Sequence, residues 1–311
     1  MNAPRSIDDY LKQLRGALAG EDPALIQDAL YDAEEYLRAE VAAHPGKSEA
    51  DVLELISSTY GAPDEVASAY RDTERKVQAA LKTPTPRVSA RTSAPARIFG
   101  IFLDPRAYSS LFYMLLTLAT GIAYFTFVVV GLSLSAGLAI LVIGVPFFLA
   151  FIAMARVIAL GEGRLLEAIT GERMPRRPVH PGAPATWWTR IVGMLRDVRT
   201  WTTLAYLLLM LPLGVFYFTV AVTFLAGAAA FICLPLAQLG DFLGLLHVDV
   251  WDHVRVGNDW WGWWGVDHPF ISGVLMFVAG VVLLTLFMHA ARALIRGHAL
   301  LAKSLLVERG A

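Results

Sequence analysis

Long stretches of the chain carry no formal charge. No Asp, Glu, Lys or Arg occurs between Arg106 and Arg156, between Arg199 and Asp241, or between Asp267 and Arg292. A helix needs about 20 apolar residues to cross a bilayer. The windows therefore predict four spans, near 108–130, 138–160, 201–224 and 270–291. The run 131–137, with its glycines and serines, is the expected joint of the first pair. The second window is longer than one span needs. Its remainder, 225–246, is interrupted by Gly227, Pro235, Asp241 and Gly244. It is expected to be a partial or interfacial helix, with a fifth span as the alternative.

The first 80 residues follow a different pattern. Ile7, Tyr10, Leu11, Leu14 and Leu18 recur at helical spacing. Leu25, Ile26, Ala29, Leu30, Ala33, Tyr36, Leu37 and Val41 continue the stripe on a longer helix that His44-Pro45-Gly46 ends. Ser48 and Asp51 have capping-box spacing, and Val52, Leu53 and Ile56 form a short stripe. Gly61 suits a left-handed stop, and Pro63, Asp64 and Glu65 suit a helix start. Four short helices are predicted, and about 75 residues are just enough for an independent core. The acids lie opposite the apolar stripes. They form either a solvated face or a docking face for a basic partner.

The two apolar halves align with each other. Asp104-Pro-Arg-Ala-Tyr-Ser-Ser-Leu-Phe-Tyr113 matches Asp197-Val-Arg-Thr-Trp-Thr-Thr-Leu-Ala-Tyr206, and Gly121-Ile-Ala-Tyr-Phe-Thr126 matches Gly214-Val-Phe-Tyr-Phe-Thr219. Ile143–Pro146 then falls on Ile232–Pro235, Ala155-Arg156 on Ala291-Arg292, Gly161 on Gly297 and Glu172-Arg173 on Glu308-Arg309. This predicts a duplicated helical hairpin. Two spans per copy would give both copies one orientation, about an axis along the membrane normal. The expected fold is all-α: a small four-helix soluble domain and a polytopic membrane domain of two repeated hairpins.

Composition and charge sharpen this organisation. The 311 residues are 56% hydrophobic and 17% charged, too apolar for an ordinary soluble protein. Residues 1–80 carry 16 acidic and 8 basic side chains, which speaks against nucleic-acid binding by this part. Segment 161–200 has seven arginines against four acids, and the tail from Ala291 has four bases against one acid. The positive-inside bias puts both in the cytoplasm, with N- and C-termini there. The resemblances described below imply the bacterial inner membrane. Residues 1–22 are polar and helix-like, unlike a signal peptide. The one cysteine, Cys233, excludes an intrachain disulfide. The expected domains are 1–80, a Pro/Ser/Thr-rich linker 81–100, a first hairpin 101–173, a basic amphipathic segment 174–200, a second hairpin 201–292 with an outer insertion 236–269, and a basic tail 293–311.

No phosphate-binding glycine loop, zinc-type His–Glu pair or paired-cysteine motif is present. No catalytic residue, cofactor or metal site is expected. The insertion gathers His247, Asp249, Asp252, His253, Asp259, Asp267 and His268, but at no metal-site spacing. It also holds Trp251, Trp260, Trp261, Trp263 and Trp264 just before the last span. These rings suit an interfacial anchor, or a surface that receives the cue. On the basic side, Trp187, Trp188, Ile191, Val192, Leu195 and Val198 oppose Arg190, Arg196 and Arg199, as in an in-plane helix.

Two resemblances add to this reading. The "YLKQLRGAL" helix, the acidic "ALYDAEEYLRAEV" helix, "KSEADVLELISSTYG" and "GAPDEVASAYR" resemble the HAAS signalling domain. That likeness implies a cytoplasmic partner of the PadR regulator type, docking through residues 1–80. Gly61, Pro63, Asp64 and Glu65 are the candidate docking turn. Residues 97–309 resemble the bacterial "putative sensor" membrane domain, on the 199–206 start, "LPLGVFYFTVAVT" and "RALIRGHALLAKSLL". No kinase motif accompanies it. The expectation is a non-enzymatic membrane sensor in contact with the lipid bilayer, of open oligomeric state. The alternative is an accessory or permease subunit of a transport system.

Overall fold

The computed structural model describes residues 4–81, 98–140, 143–175, 177, 192–193, 195–245 and 269–307. Every regular element among them is helical. The chain forms two compact units. One holds Met1–Ser89, Tyr124–Leu209 and Gly297–Ala311, and the other Ala90–Ala123 and Met210–Arg296.

The head contains α1 (Ile7–Ala17), α2 (Pro23–Ala43), α3 (Glu49–Ser57) and α4 (Pro63–Leu81). Each start has a local cause. Ser6 accepts from the Asp9 amide, and Asp22 accepts from the Ala24 amide with Pro23 in the first turn. Ser48 and Asp51 close a reciprocal capping box that holds the Asp51 carboxyl below its usual range. The Glu65 carboxylate accepts from the Ala62 amide at 3.1 Å. Tyr10, Leu14, Leu18, Ala29, Leu37, Leu53, Ile56 and Ala67 meet in one core. Each large aliphatic side chain buried there contributes about 1.5–3 kcal/mol. Tyr36 and Tyr60 stack at 4.4 Å, and Arg71 ties α4 to the end of α1 through Glu21 and the Ala17 carbonyl.

A 3-10 turn (Gly100–Leu103) precedes four long helices: α5 (Pro105–Leu138), α6 (Gly144–Thr170), α7 (Val198–Phe242) and α8 (Pro269–Leu306). All four are long and apolar enough to cross a membrane. Two local expectations change. Gly131 to Gly137 is helix, so the joint of the first pair lies beyond Leu138. Ser135 donates back to the Gly131 carbonyl at 2.7 Å, so its hydroxyl is satisfied inside the helix. Residues 225–242 are neither a separate partial helix nor a fifth span. They continue α7, which runs through Pro212 and Pro235 and ends before Gly244 at φ 68°. A proline kinks an apolar helix at the cost of one backbone bond, and neighbouring helices can hold it together.

In the second unit, Gly121 lies against the Met210 carbonyl and Gly214 against the Thr117 carbonyl. A Cβ at either glycine would overlap backbone. These contacts join positions that the alignment pairs, Gly121 with Gly214 and Thr117 with Met210. Gly280 packs on Phe231 and Ile232, Gly227 faces Leu283, and Phe224 stacks on Phe287 at 5.3 Å. Helices α7 and α8 are therefore antiparallel. Ala107 packs with Met288, and Arg292 reaches Asp104 at 2.5 Å. The start of α5 thus lies beside α8. Glycine at positions 121 and 214 permits the close approach of the two helix backbones.

In the first unit, Gly131 lies against the Phe151 ring and Phe127 packs on Phe151 at 5.2 Å. The Tyr124 hydroxyl donates to Glu162 at 2.9 Å, and Tyr206 meets His298 at 3.2 Å. Glu162 and His298 are both buried.

Candidate functional site

The head is packed against the basic residues that follow α6 and against the end of α8, all within the first unit. Helix α2 has two working faces. Ala29, Ala33 and Leu37 point into the head core. Gln27, Asp28, Tyr31 and Asp32 recur at i, i+4 spacing on another face and meet Arg173 and Arg177. Arg173 donates to Asp28 at 2.8 Å and also pairs with Glu74 of α4. The Arg173 and Asp28 side chains are only 7% and 6% exposed.

Arg177 is gripped at several points. Its amide donates to Asp28 Oδ1 at 2.9 Å, and its carbonyl accepts from Gln27 Nε2 at 2.9 Å. Its guanidinium reaches Asp32 at 2.9 Å and lies 5.8 Å from the Tyr31 ring centre. The Tyr70 hydroxyl donates to the other oxygen of Asp32 at 3.0 Å. Burial, helped by the Asp32 charge and this bond, pushes the Tyr70 phenol above its ordinary range. On the tail, Lys303 bonds Asp22, the α2 cap, at 2.5 Å. A cavity of about 60 Å³ lies beside Gln27, Arg156, Asp197, Arg199 and Thr203.

A second feature is a reciprocal charge pattern. Asp197 accepts from the Arg199 amide at 3.0 Å and from the Arg156 guanidinium at 3.0 Å. Asp104 accepts from the Arg106 amide at 3.0 Å and pairs with Arg292. Each aspartate caps the start of one long helix and also holds an arginine late in the other aligned segment. Arg156 further donates to Thr200 at 3.1 Å.

The sequence candidates fall in different places. Trp251, Trp260, Trp261, Trp263 and Trp264 lie outside the described residues, as do linker 82–96 and the insertion's histidines and acids from His247 to His268. In the candidate docking turn, Gly61 adopts φ 106° and its carbonyl accepts from the Tyr10 hydroxyl at 2.9 Å. Pro63 is buried, Glu65 caps α4, and Asp64 is exposed. A crevice lined by Tyr60, Gly61, Glu65 and Tyr70 adjoins the turn. The residues that sequence reasoning passed over are Asp28, Asp32, Glu74, Arg173, Arg177 and Lys303. Their signal was the matching four-residue spacing of Asp28 with Asp32 and of Arg173 with Arg177.

The family described as "Putative sensor" matches residues 113–306, and the chain belongs to it. The chain finds no match among the curated proteins or among the solved structures.

Proposed function

We propose that this chain is a membrane signalling protein. In this reading a duplicated hairpin domain receives an extracytoplasmic or bilayer cue, and the head carries the output. The observation behind it is the grip of α2 on Arg173 and Arg177, directly after α6. Movement or rotation of α6 displaces these arginines and changes what the head can bind. A cue acts by stabilising one packing of the helices over another, since equal affinity for both shifts nothing.

The contact of Lys303 with Asp22 supports placing head and tail on one side, and the basic flanks make that side the cytoplasm. The organism class read from the resemblances makes the location the inner membrane of a bacterium. The HAAS-like helix order makes a PadR-type regulator the partner, and the protein works without catalysis. The test is co-purification of the full-length protein with a PadR-type regulator encoded beside it. Retention of the regulator that changes on Asp28→Asn/Asp32→Asn supports the reading. No retention by either form, in several lipid compositions, removes the output half.

A further inference from the structure

The segment 173–177 is held as a bound peptide is held. Its described residues, 173–175 and 177, are not helical, and the Arg177 amide and carbonyl spend their hydrogen bonds on the Asp28 and Gln27 side chains of the head. Arg173 enters a sealed site between Asp28 and Glu74, Met174 and Pro175 are buried beside it, and Arg177 lies over Tyr31 against Asp32. Backbone capture with two side-chain sockets is the recognition pattern of a peptide-binding module. Planar guanidinium suits these sockets better than an ammonium does.

We propose that the α2–α4 face of the head is a receptor for a basic peptide with two arginines four residues apart, and that segment 173–177 occupies it in cis. A protein partner of the head then presents an Arg-x-x-x-Arg segment and binds only when the chain's own segment has left. Tethering gives the cis segment an effective concentration in the millimolar range, so it acts as a built-in competitor. This rests on the reading of the head as the output module and names the chemistry of what it binds.

The test uses the full chain in a neutral maltoside detergent and a dye-labelled synthetic peptide of residues 170–177. Arg173→Gln/Arg177→Gln empties the site in cis. This variant is expected to bind the peptide saturably, with wild type binding it roughly 100-fold more weakly because of the tethered competitor. Adding Asp28→Asn/Asp32→Asn, or replacing both peptide arginines with glutamine, is expected to abolish binding. Amide exchange of α1 and α3, read in the same samples, shows whether the variant head is folded. Should it be unfolded, unlabelled peptide in excess over wild type is the second arm, and is expected to speed exchange of the chain's own Arg177 amide, which Asp28 otherwise holds. No saturable binding to a folded, emptied head overturns the proposal, as does binding indifferent to Asp28 and Asp32. In the second arm, unchanged exchange of that Arg177 amide overturns it. A regulator that still co-purifies in those cases leaves the output reading standing and removes only the peptide site.

Discussion

Arg173 meets Asp28 at 2.8 Å across 145 residues of chain, with both side chains nearly sealed from solvent. A buried pair of this kind resists the loss of one partner more than it stabilises the fold. Arg173→Ala leaves Asp28 and Glu74 buried without their shared cation, at a cost of about 3–5 kcal/mol to head docking. Arg177→Ala removes a partner that is about half exposed, 52% by side chain, so its loss is expected to cost about 1 kcal/mol. Limited proteolysis of the full-length protein checks the order. The head of Arg173→Ala is cleaved fastest and wild type slowest, with Arg177→Ala between them.

The capping aspartates have two duties that can be separated. Asp197→Asn keeps a side-chain acceptor at the start of α7 and loses the charge that holds Arg156. Asp197→Ala loses both. The ion pair is partly exposed and is worth up to about 1 kcal/mol. The cap adds about 1 kcal/mol. Thermal unfolding in detergent is expected to rank wild type above Asn and Asn above Ala. Asp104 is expected to give the same ranking with Arg292.

The packing of α5 and α7 on α8 makes a further prediction. In a Cys233→Ser background, Ala107→Cys with Met288→Cys and Gly227→Cys with Leu283→Cys are both expected to form disulfides in native membranes. The first bond sets the start of α5 beside α8, and the second sets which part of α7 that stretch of α8 faces. Failure of the second pair would restore the shorter second hairpin expected from the sequence.

Much of this was legible in the sequence, for local reasons. The Ser48–Asp51 box, the Gly61 stop and the Pro63 start use only neighbouring atoms, so spacing was enough to find them. The four apolar helices followed from hydropathy alone. The continuity of α7 was not legible, because whether Pro235 and Gly227 break a helix depends on the neighbour that packs there, here α8. The acidic face of α2 was visible, but its occupant was not. Ion pairs between residues 145 positions apart leave no periodic trace. Only the equal spacing of the two partners hinted at it.

The head carries its own alkaline limit. Burial foremost, with Tyr60, Asp64 and Glu65 nearby, raises the Tyr10 phenol above its ordinary value of about 10. A folded-state value above the unfolded one gives stability that is complete below about pH 10 and is lost as pH rises further. The head is expected to unfold as the pH climbs past that point, followed by circular dichroism and phenolate absorbance. Tyr10→Phe removes one such titration and makes the alkaline loss shallower. At neutral pH it costs about 1 kcal/mol from the lost bond to the Gly61 carbonyl.

The central claim is that the chain's own arginines hold the head against the end of α6. Spin labels at the exposed Glu35 of α2 and Ala168 of α6 test it most directly, read by pulsed dipolar spectroscopy in lipid nanodiscs. The account predicts one narrow distance distribution in the wild-type chain and a broad one in Arg173→Gln/Arg177→Gln. A broad distribution in the wild-type background, or a narrow one that the double substitution leaves unchanged, would contradict it.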